Sequence, residues 1–402
     1  MSAVLIVGAD RDQRPAILQL RGLGHRVVVV DADPGAPGLA HADVAEVADV
    51  DDPDVVEGLA RRHAVDAVLT VAHDRAVPIV DVVAERLGQP SLGSAAAHRF
   101  THKLAMRRTL AEEGLPQPRY AAVRNLAEGR AAIDTVGLPA VLKPADAEGQ
   151  RGLFRIDEPG DLESHLHAAL AESRSQEAVL ERFVEGTEMN AVVVARRGAA
   201  RLVTLSDRLR PEDSGFGVAR AHVHPARIHS DQLAAAERTA ERVPSVLGLR
   251  DGVGLVQLVA SPEGAVSVVG AAARVPGGRL ADVVRHAVGV DLVHLALRFA
   301  LGEEVGEGDV RPRVSQPVAI RYLTASPGQL PTGRVQRVGA LAPALSADGV
   351  VEAETYLSPG DVVRPLRTAA DRQGHVIATG PTTVEALDNA DHAAGLVGVE
   401  VE

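Results

Sequence analysis

Lysine is almost absent from this chain of 402 residues. Of its 42 basic residues only two, Lys103 and Lys143, are lysines, and the rest are arginines. An ammonium is a compact point charge, whereas a guanidinium is broad and planar, so the two are not interchangeable at a site that must fit one small anionic group. Chance survival of two lysines in an arginine-biased composition is the alternative, and composition alone leaves both explanations open.

The sequence around each lysine favours a functional explanation. Lys143 closes an apolar run that begins at Leu138, and the residues that follow, 144–152, are mostly small or polar and include two glycines. This pattern predicts a buried strand that runs into a loop. An ammonium beside a loop whose N–H groups can point at an anion suits a phosphate. Lys103 begins a helical stretch that Gly114 ends.

Together these segments resemble the ATP-grasp superfamily, in particular its carboxylate–amine ligases, and the similarity runs along the whole chain in the right order. Lys103 is similar to the first nucleotide lysine of that family, and Lys143, in Val-Leu-Lys-Pro-Ala-Asp, is similar to the second. The segment 179–188 resembles the family's hinge, where the position of Glu181 lies beside the adenine and that of Glu188 takes the ribose hydroxyls. The resemblance therefore implies an ATP site with these expected residues: Lys103, Lys143, Asp146, Gly149, Glu181, Val184 and Glu188.

The strands that would carry the family's magnesium ligands depart from its pattern. The family takes an acidic residue from one strand and a Glu-x-Asn pair from the next, which runs into an arginine and a Pro-Gly-Gly turn. Here Gln257 stands at the first position, Gly270 and Ala272 replace the pair, and Arg274 and the turn are retained. Magnesium demands hard oxygen ligands, so its binding is left open. The resemblance implies that Arg274 is the catalytic residue, which stabilises charge on the transferring phosphoryl group.

Three explanations for the changed metal ligands stay open. Nearby acids can supply a metal site from elsewhere, the chain can be a nucleotide-binding pseudoenzyme, or the alignment of this strand can slip. The retained Arg-Val-Pro-Gly-Gly motif argues against a slip. The acids that could relocate the site are Asp146, Glu148, Glu212 and Asp213.

Histidines and glycines are expected on the side of the cleft that receives the substrates. His73 follows a predicted strand, where a parallel sheet places its ligand-facing loops, although ordinary turn chemistry explains it equally well. His222 and His224 are two positions apart on one strand and so face the same side. Without a third ligand in register a metal there is disfavoured, and a substrate-side hydrogen bond from His224 is preferred. The expected substrate residues are His73, His224, Gly277 and Gly278.

The elements that must position these residues suggest a fold of the α/β class. The first segment alternates strands and helices, which predicts βαβ units in a parallel sheet. Its first turn, at Gly8, has one glycine where a pyrophosphate cradle needs three, so nicotinamide binding is disfavoured. We expect an ATP-grasp fold with three domains. They are a Rossmann-like N-terminal domain over 1–95, the ATP-grasp domain over 96–309 with a lid lobe at about 118–175, and a C-terminal α+β domain over 310–402.

The amino-acid composition limits the classes of molecule that the protein is expected to bind. A net charge of −12 and an aromatic content of 2% argue against nucleic-acid binding, which needs basic stripes and stacking platforms. The sequence has no cysteine, and it shows no apolar leader or run long enough to span a bilayer, so we expect a cytoplasmic protein that does not enter the membrane. The expected partners are ATP, a small-molecule carboxylate and an amine, with amino acids among the candidates, and a homodimer is compatible with the sequence.

The resemblance implies a definite reaction. An ATP-dependent ligase of this type phosphorylates a carboxylate and lets an amine displace the phosphate, which gives an amide or peptide bond. The alternative is a nucleotide-binding pseudoenzyme of the same fold. A nicotinamide oxidoreductase is a third interpretation, which rests only on the first βαβ unit.

Overall fold

The computed structural model describes residues 1–210 and 217–402. Its first elements are β1 (Ala3–Val7), α1 (Arg14–Gly22), β2 (Arg26–Asp31), β3 (Val44–Val47), α2 (Pro53–Arg62), β4 (Ala67–Leu69) and α3 (Val77–Arg86). The four strands form a parallel sheet in the order β3-β2-β1-β4. Along β1 the side chains of Val4 and Ile6 enter one hydrophobic core, and those of Leu5 and Val7 enter another. Both faces are therefore covered, as parallel sheets require, and the predicted βαβ units are confirmed.

A smaller layer follows, and it carries both lysines. Its elements are α4 (Ser94–Thr101), α5 (Lys103–Glu112), β5 (Tyr120–Val123), α6 (Leu126–Val136), β6 (Ala140–Pro144), β7 (Phe154–Ile156), α7 (Leu162–Ala171) and β8 (Ala178–Arg182). The four strands pair in the order β5-β8-β6-β7, all antiparallel, and α6 and α7 cover one face. The predicted strand before Lys143 is β6, and the predicted helix that Lys103 begins is α5.

The largest layer is an antiparallel sheet of eight strands. Its first part comprises β9 (Thr187–Arg196), β10 (Ala199–Leu209), β11 (Ala221–His224), α8 (Ser230–Leu247), β12 (Gly252–Ala260), β13 (Val266–Ala272), α9 (Leu280–Val288), α10 (Leu292–Ala300) and α11 (Glu307–Val310). Helix α8 packs on one face, where Ala191 and Leu258 are buried. The other face packs against α9, α10 and the N-terminal sheet, through residues such as Val192 and Leu255. One core therefore joins the N-terminal sheet to the large sheet.

The last segment completes that same sheet and adds a small lobe. Its elements are β14 (Val318–Tyr322), β15 (Gly333–Val338), α12 (Ala342–Leu345), β16 (Val350–Thr355), β17 (Val362–Val363), β18 (Gly374–Thr379), α13 (Thr383–Gly395) and β19 (Val399–Val401). The full strand order is β13-β12-β9-β10-β11-β14-β18-β16, so the sheet continues across residue 310, where a domain boundary was expected. Thr382 caps α13, because its side chain accepts a hydrogen bond from the Glu385 N–H at 3.2 Å. Within the described residues, every helix is too short or too polar to cross a bilayer.

Candidate functional site

The two lysines lie close together. The Lys103 ammonium stands at the start of α5 and donates to the backbone oxygen of Ala147 at 2.6 Å. The Lys143 ammonium, near the end of β6, lies 2.8 Å from Glu181 and donates to the backbone oxygen of Val269 at 3.3 Å. Burial and then the charge of Lys143 lower the pKa of Lys103 to about 8, and burial also lowers the pKa of Lys143. The two ammonium groups are therefore close enough to act on each other and on one anion.

A buried ion pair anchors Lys143. Arg107 donates to both carboxylate oxygens of Glu181, at 2.8 and 2.9 Å, and to the backbone oxygens of Val268 and Val269. Burial would raise the pKa of Glu181, but the charges of Arg107 and Lys143 outweigh it and hold that pKa at about 2. The contact between Glu181 and the adenine stays a prediction. Sequence reasoning missed Arg107, although its position four residues after Lys103 places both side chains on one face of α5.

The loop after Lys143 is pinned at two points. Asp146 accepts hydrogen bonds from the Ser173 hydroxyl and the Ser175 N–H, each at 2.8 Å, so its carboxylate holds the loop 173–175. Glu148 reaches across the cleft to His73, with 2.8 Å between Oε1 and Nε2, and accepts from the backbone N–H of Asp74. Gly149 follows, with a φ of +68° that favours glycine, and a side chain there would meet no other atom. The loop therefore joins the layer that carries the lysines to the N-terminal sheet.

His73 balances the negative charge of Glu148 in this loop. The hydrogen bond that His73 donates to Glu148 raises the pKa of His73, against the opposing effect of burial, and the charges of Glu148, Asp10 and Asp74 add to the rise. Burial would raise the pKa of Glu148, but the hydrogen bond and charge of His73 and the charge of Arg274 keep it below its ordinary value. His73, expected on the substrate side, thus borders the loop that follows Lys143.

Arg274 is held by an acid from the N-terminal segment. Its Nε and Nη2 atoms donate to the two carboxylate oxygens of Asp74, at 2.5 and 2.9 Å, and 11% of its side chain is exposed. Burial would lower the pKa of Arg274, but Asp74 and then Glu148 raise it, so the guanidinium stays charged. A bidentate pair of this kind fixes both the position and the plane of the guanidinium.

The Pro-Gly-Gly turn after Arg274 packs tightly. A side chain on Gly277 would begin 2.7 Å from Asp12, and one on Gly278 would begin 2.8 Å from the Tyr322 hydroxyl. The N–H of Gly278 donates to Asp12 at 3.0 Å, and Tyr322 donates to the Gly278 oxygen at 2.5 Å. The turn is therefore held against residues of the N-terminal segment and of β14.

The positions of the changed metal ligands lie side by side. In the register of β12 and β13, Gln257 stands opposite Gly270 and Leu255 stands opposite Ala272. Antiparallel partners share a face, so the three predicted positions lie on the same face, as metal ligands would. They offer one neutral amide oxygen from Gln257 and no carboxylate, and Ala272 is buried in the apolar core. These residues do not fit a magnesium ion, which prefers charged oxygen ligands.

The acids that could relocate the metal are already engaged. Both oxygens of Asp146 are bound by the loop 173–175, and Glu148 is bound by His73 and the backbone of Asp74. Glu212 and Asp213 lie outside the described residues. Glu188, the predicted ribose ligand, pairs with Arg208 and lies 2.6 Å from Arg210. Val184 is half-buried between β8 and β9.

The two histidines of β11 make separate contacts. Nδ1 of His224 lies 3.0 Å from the backbone oxygen of Leu205, and Nδ1 of His222 lies 3.2 Å from the side-chain nitrogen of Asn190. Burial lowers the pKa of both rings. Within the described residues, the group with three ligand atoms close enough for one ion is elsewhere, and its carboxylates pair with Arg279 and Arg14. That group is Glu352, Glu354 and His375.

Comparison of the sequence with known proteins identifies two protein families. Residues 108–275 match the ATP-grasp domain family, and residues 324–402 match the family described as L-amino acid ligase C-terminal domain 2. The chain is 26% identical over 407 residues to formate-dependent phosphoribosylglycinamide formyltransferase from Ignicoccus hospitalis, an alignment that covers 98% of this chain and 95% of that one.

Solved structures share the fold over the full length. L-amino acid ligase from Bacillus licheniformis superimposes with a TM-score of 0.84 and 18% identity, covering 100% of this chain and 99% of that one. N5-carboxyaminoimidazole synthase from Aspergillus clavatus, solved with ADP and 5-aminoimidazole ribonucleotide, gives a TM-score of 0.74 and 18% identity, covering 98% and 97%.

The match over residues 108–275 identifies an ATP-grasp domain, and the fold of the whole chain is the ATP-grasp fold. The predictions of an ATP-grasp fold and of ATP as its nucleotide are thereby confirmed. The individual site residues stay predictions.

Proposed function

We propose that this chain uses ATP to join a carboxylate to an amine. A carboxylate oxygen attacks the γ-phosphorus of ATP, the bond to the β-γ bridging oxygen breaks, and ADP leaves an acyl phosphate behind. The amine nitrogen then attacks the acyl carbon, the carbon–oxygen bond to phosphate breaks, and the nitrogen loses a proton. The single observation that carries the proposal is the meeting of Lys103 and Lys143 in one cleft.

The residues around the cleft support a division of roles. Lys103 and Lys143 would bind the phosphates, and Glu188 would take the ribose. Arg274, whose plane Asp74 fixes, would stabilise the charge that develops on the transferring phosphoryl group. The tight turn at Gly277 and Gly278 would shape the side on which the carboxylate and the amine bind, because its backbone is held from two sides.

The substrate class we propose is an amino acid or a similarly small molecule. The match of residues 324–402 to an L-amino acid ligase domain supports this class. Relatives named for glycinamide and aminoimidazole ribonucleotides leave a phosphorylated amine as the competing choice.

A second candidate function is nucleotide binding without ligation. The observation that favours it is the set of Gln257, Gly270 and Ala272, which cannot hold the magnesium ion expected of this superfamily. Phosphoryl transfer relies on positioning and on neutralisation of charge, so the loss of a metal removes part of the catalytic equipment.

One assay separates the two functions. The full chain is incubated with ATP and a panel of amino acids, with and without Mg²⁺, and ADP release is measured by a coupled assay, with Arg274→Met as the negative control. ADP release that depends on an amino acid pair and on Arg274 supports the ligase. ATP binding by calorimetry, with no ADP release across the panel, supports the second candidate. Absence of ATP binding under all conditions contradicts both.

A further inference from the structure

We infer that this chain binds its nucleotide without a divalent cation at the large sheet, and that Gln257 closes the place where such a cation would bind. The inference rests on the proposed ATP site and concerns the form in which ATP enters it. It predicts that the metal-free polyphosphate is the ligand, and that fixed side chains of the protein supply the positive charge.

The first step is steric. Gln257 lies directly across from Gly270, and its Oε1 atom is 2.8 Å from the point where a side chain on residue 270 would begin. Real side chains essentially never approach that closely, so an acidic side chain at 270 would require the amide of Gln257 to turn away. The change at 257 and the change at 270 therefore belong together: the glycine admits the amide in this position, and the amide stands where a ligand from 270 would reach.

The second step concerns the neighbours of Gln257. Its Nε2 atom lies 3.5 Å from the side-chain oxygen of Asn190, and the nitrogen of Asn190 lies 3.2 Å from Nδ1 of His222. Burial, with the charges of Arg372 and Arg208, holds the pKa of His222 well below its ordinary value, so the imidazole is neutral. Neutral side chains on β12, β9 and β11 thus lie next to one another across the sheet. Neutral amides and an imidazole bind Mg²⁺ too weakly to offset the free energy needed to remove its bound water.

The third step is the charge balance of the cleft. Lys103, Lys143, Arg107 and Arg274 are cations that face or border it, and the carboxylates of Glu181 and Asp74 are each bound on both oxygens by these cations. Among residues 1–210 and 217–402, no carboxylate near Lys103 and Lys143 is left to attract a second cation. A metal ion would meet like charges there, whereas the additional negative charge of metal-free ATP would be attracted.

Calorimetry on the full chain tests the inference. ATP is titrated in excess Mg²⁺ and in EDTA at one ionic strength. We expect binding to be at least about threefold tighter in EDTA than in Mg²⁺, because excess metal leaves little free nucleotide to bind. Binding that weakens by about tenfold or more in EDTA overturns the inference and leaves the proposed ATP site standing. Absence of binding under both conditions contradicts the proposed function itself.

A variant that restores the family's ligands gives the complementary test. In Gln257→Glu/Gly270→Glu/Ala272→Asn all three positions regain ligand oxygens, and the flexible side chain at 257 must turn away from residue 270. We expect ATP binding to become at least about tenfold tighter in Mg²⁺ than in EDTA, and Mn²⁺ binding to become visible by electron paramagnetic resonance. A folded variant, as judged by circular dichroism, that shows neither effect overturns the inference.

Two further variants supply a simpler form of this test and a matched control. Gln257→Glu alone introduces one carboxylate with no change at Gly270, and it carries the test if the triple variant does not fold. It should gain a smaller preference for Mg²⁺, and its failure to gain any overturns the inference. Gln316→Glu is the matched control, because Gln316 is exposed and donates to His286 away from the cleft. A gain of metal preference in that control would equally count against the proposed role of Gln257.

Discussion

Arg274 and Asp74 are 200 positions apart in the sequence and are joined by two hydrogen bonds of 2.5 and 2.9 Å. Asp74 belongs to the loop after β4 of the N-terminal sheet, and Arg274 follows β13 at the edge of the large sheet. The arginine proposed to face the transferring phosphoryl group is therefore oriented by a different layer of the fold. Movement between the two layers would change its position directly.

Removal of the carboxylate at Asp74 should destabilise the protein. In Asp74→Asn the guanidinium of Arg274, which is 11% exposed, loses the charge that pairs with it, and we expect a loss of about 2 kcal/mol in the free energy of unfolding. Urea denaturation measures it. Asp54→Asn is the control, because that side chain is 79% exposed and its pair with Arg86 is screened by solvent and should contribute little. Equal effects of the two substitutions would contradict the structural role of Asp74.

Glu181 should contribute a large, pH-dependent part of the stability. Glu181→Gln leaves Arg107 and Lys143 buried beside a neutral group, and we expect a cost of about 3 kcal/mol at neutral pH. The folded state holds the pKa of Glu181 at about 2, below its ordinary value of 4.5. The stabilisation is therefore fully present above about pH 4.5 and is lost as the pH falls towards 2.

The difference between the wild type and Glu181→Gln in urea denaturation should shrink below about pH 4.5. Glu128→Gln, at an exposed pair with Arg124, is the control and should show little effect at any pH. A difference that stays constant down to the lowest pH at which the protein folds would show that the ion pair is not its source.

His73 should contribute stability that is lost at alkaline pH. The hydrogen bond that His73 donates to Glu148, with the charges of Glu148, Asp10 and Asp74, raises the pKa of His73 above its ordinary value of 6.5. The stabilisation is therefore complete below about pH 6.5 and disappears as the pH rises through the higher pKa of the folded state. The difference in unfolding free energy between the wild type and His73→Gln should be largest near pH 6.

Lys103, whose pKa is about 8, also titrates above neutrality, but it is present in both proteins and cancels in that difference. His167→Gln, at an exposed position of α7, is the control. A difference for His73→Gln that grows with pH would contradict the pairing with Glu148.

Sequence reasoning predicted the elements that depend on local sequence patterns. The helix that Lys103 begins and the strand that ends near Lys143 follow from apolar spacing, glycine and proline, and the order of the family's motifs gave the fold. The pairs of Arg107 with Glu181, Glu148 with His73 and Arg274 with Asp74 were not predicted, because residues 74 to 200 positions apart meet only through the packing of separate sheets.

The outcome at Gln257 shows the same limit. The sequence identified the missing carboxylates and left three explanations open. The register of β12 and β13 places Gln257 against Gly270. The amide of Gln257 lies directly beside Gly270. A sequence pattern contains no such distances, so it could not predict this contact.

Chemical protection of the two lysines tests the central claim most directly. The chain has only Lys103 and Lys143, both with lowered pKa values, so acetic anhydride near pH 8 will modify few sites besides them, and peptide mass spectrometry can follow each one. If both ammonium groups bind one polyphosphate, ATP must slow the acetylation of both, with half-protection at the same ATP concentration. Protection of one lysine alone, or half-protection at unrelated concentrations, would contradict the shared site.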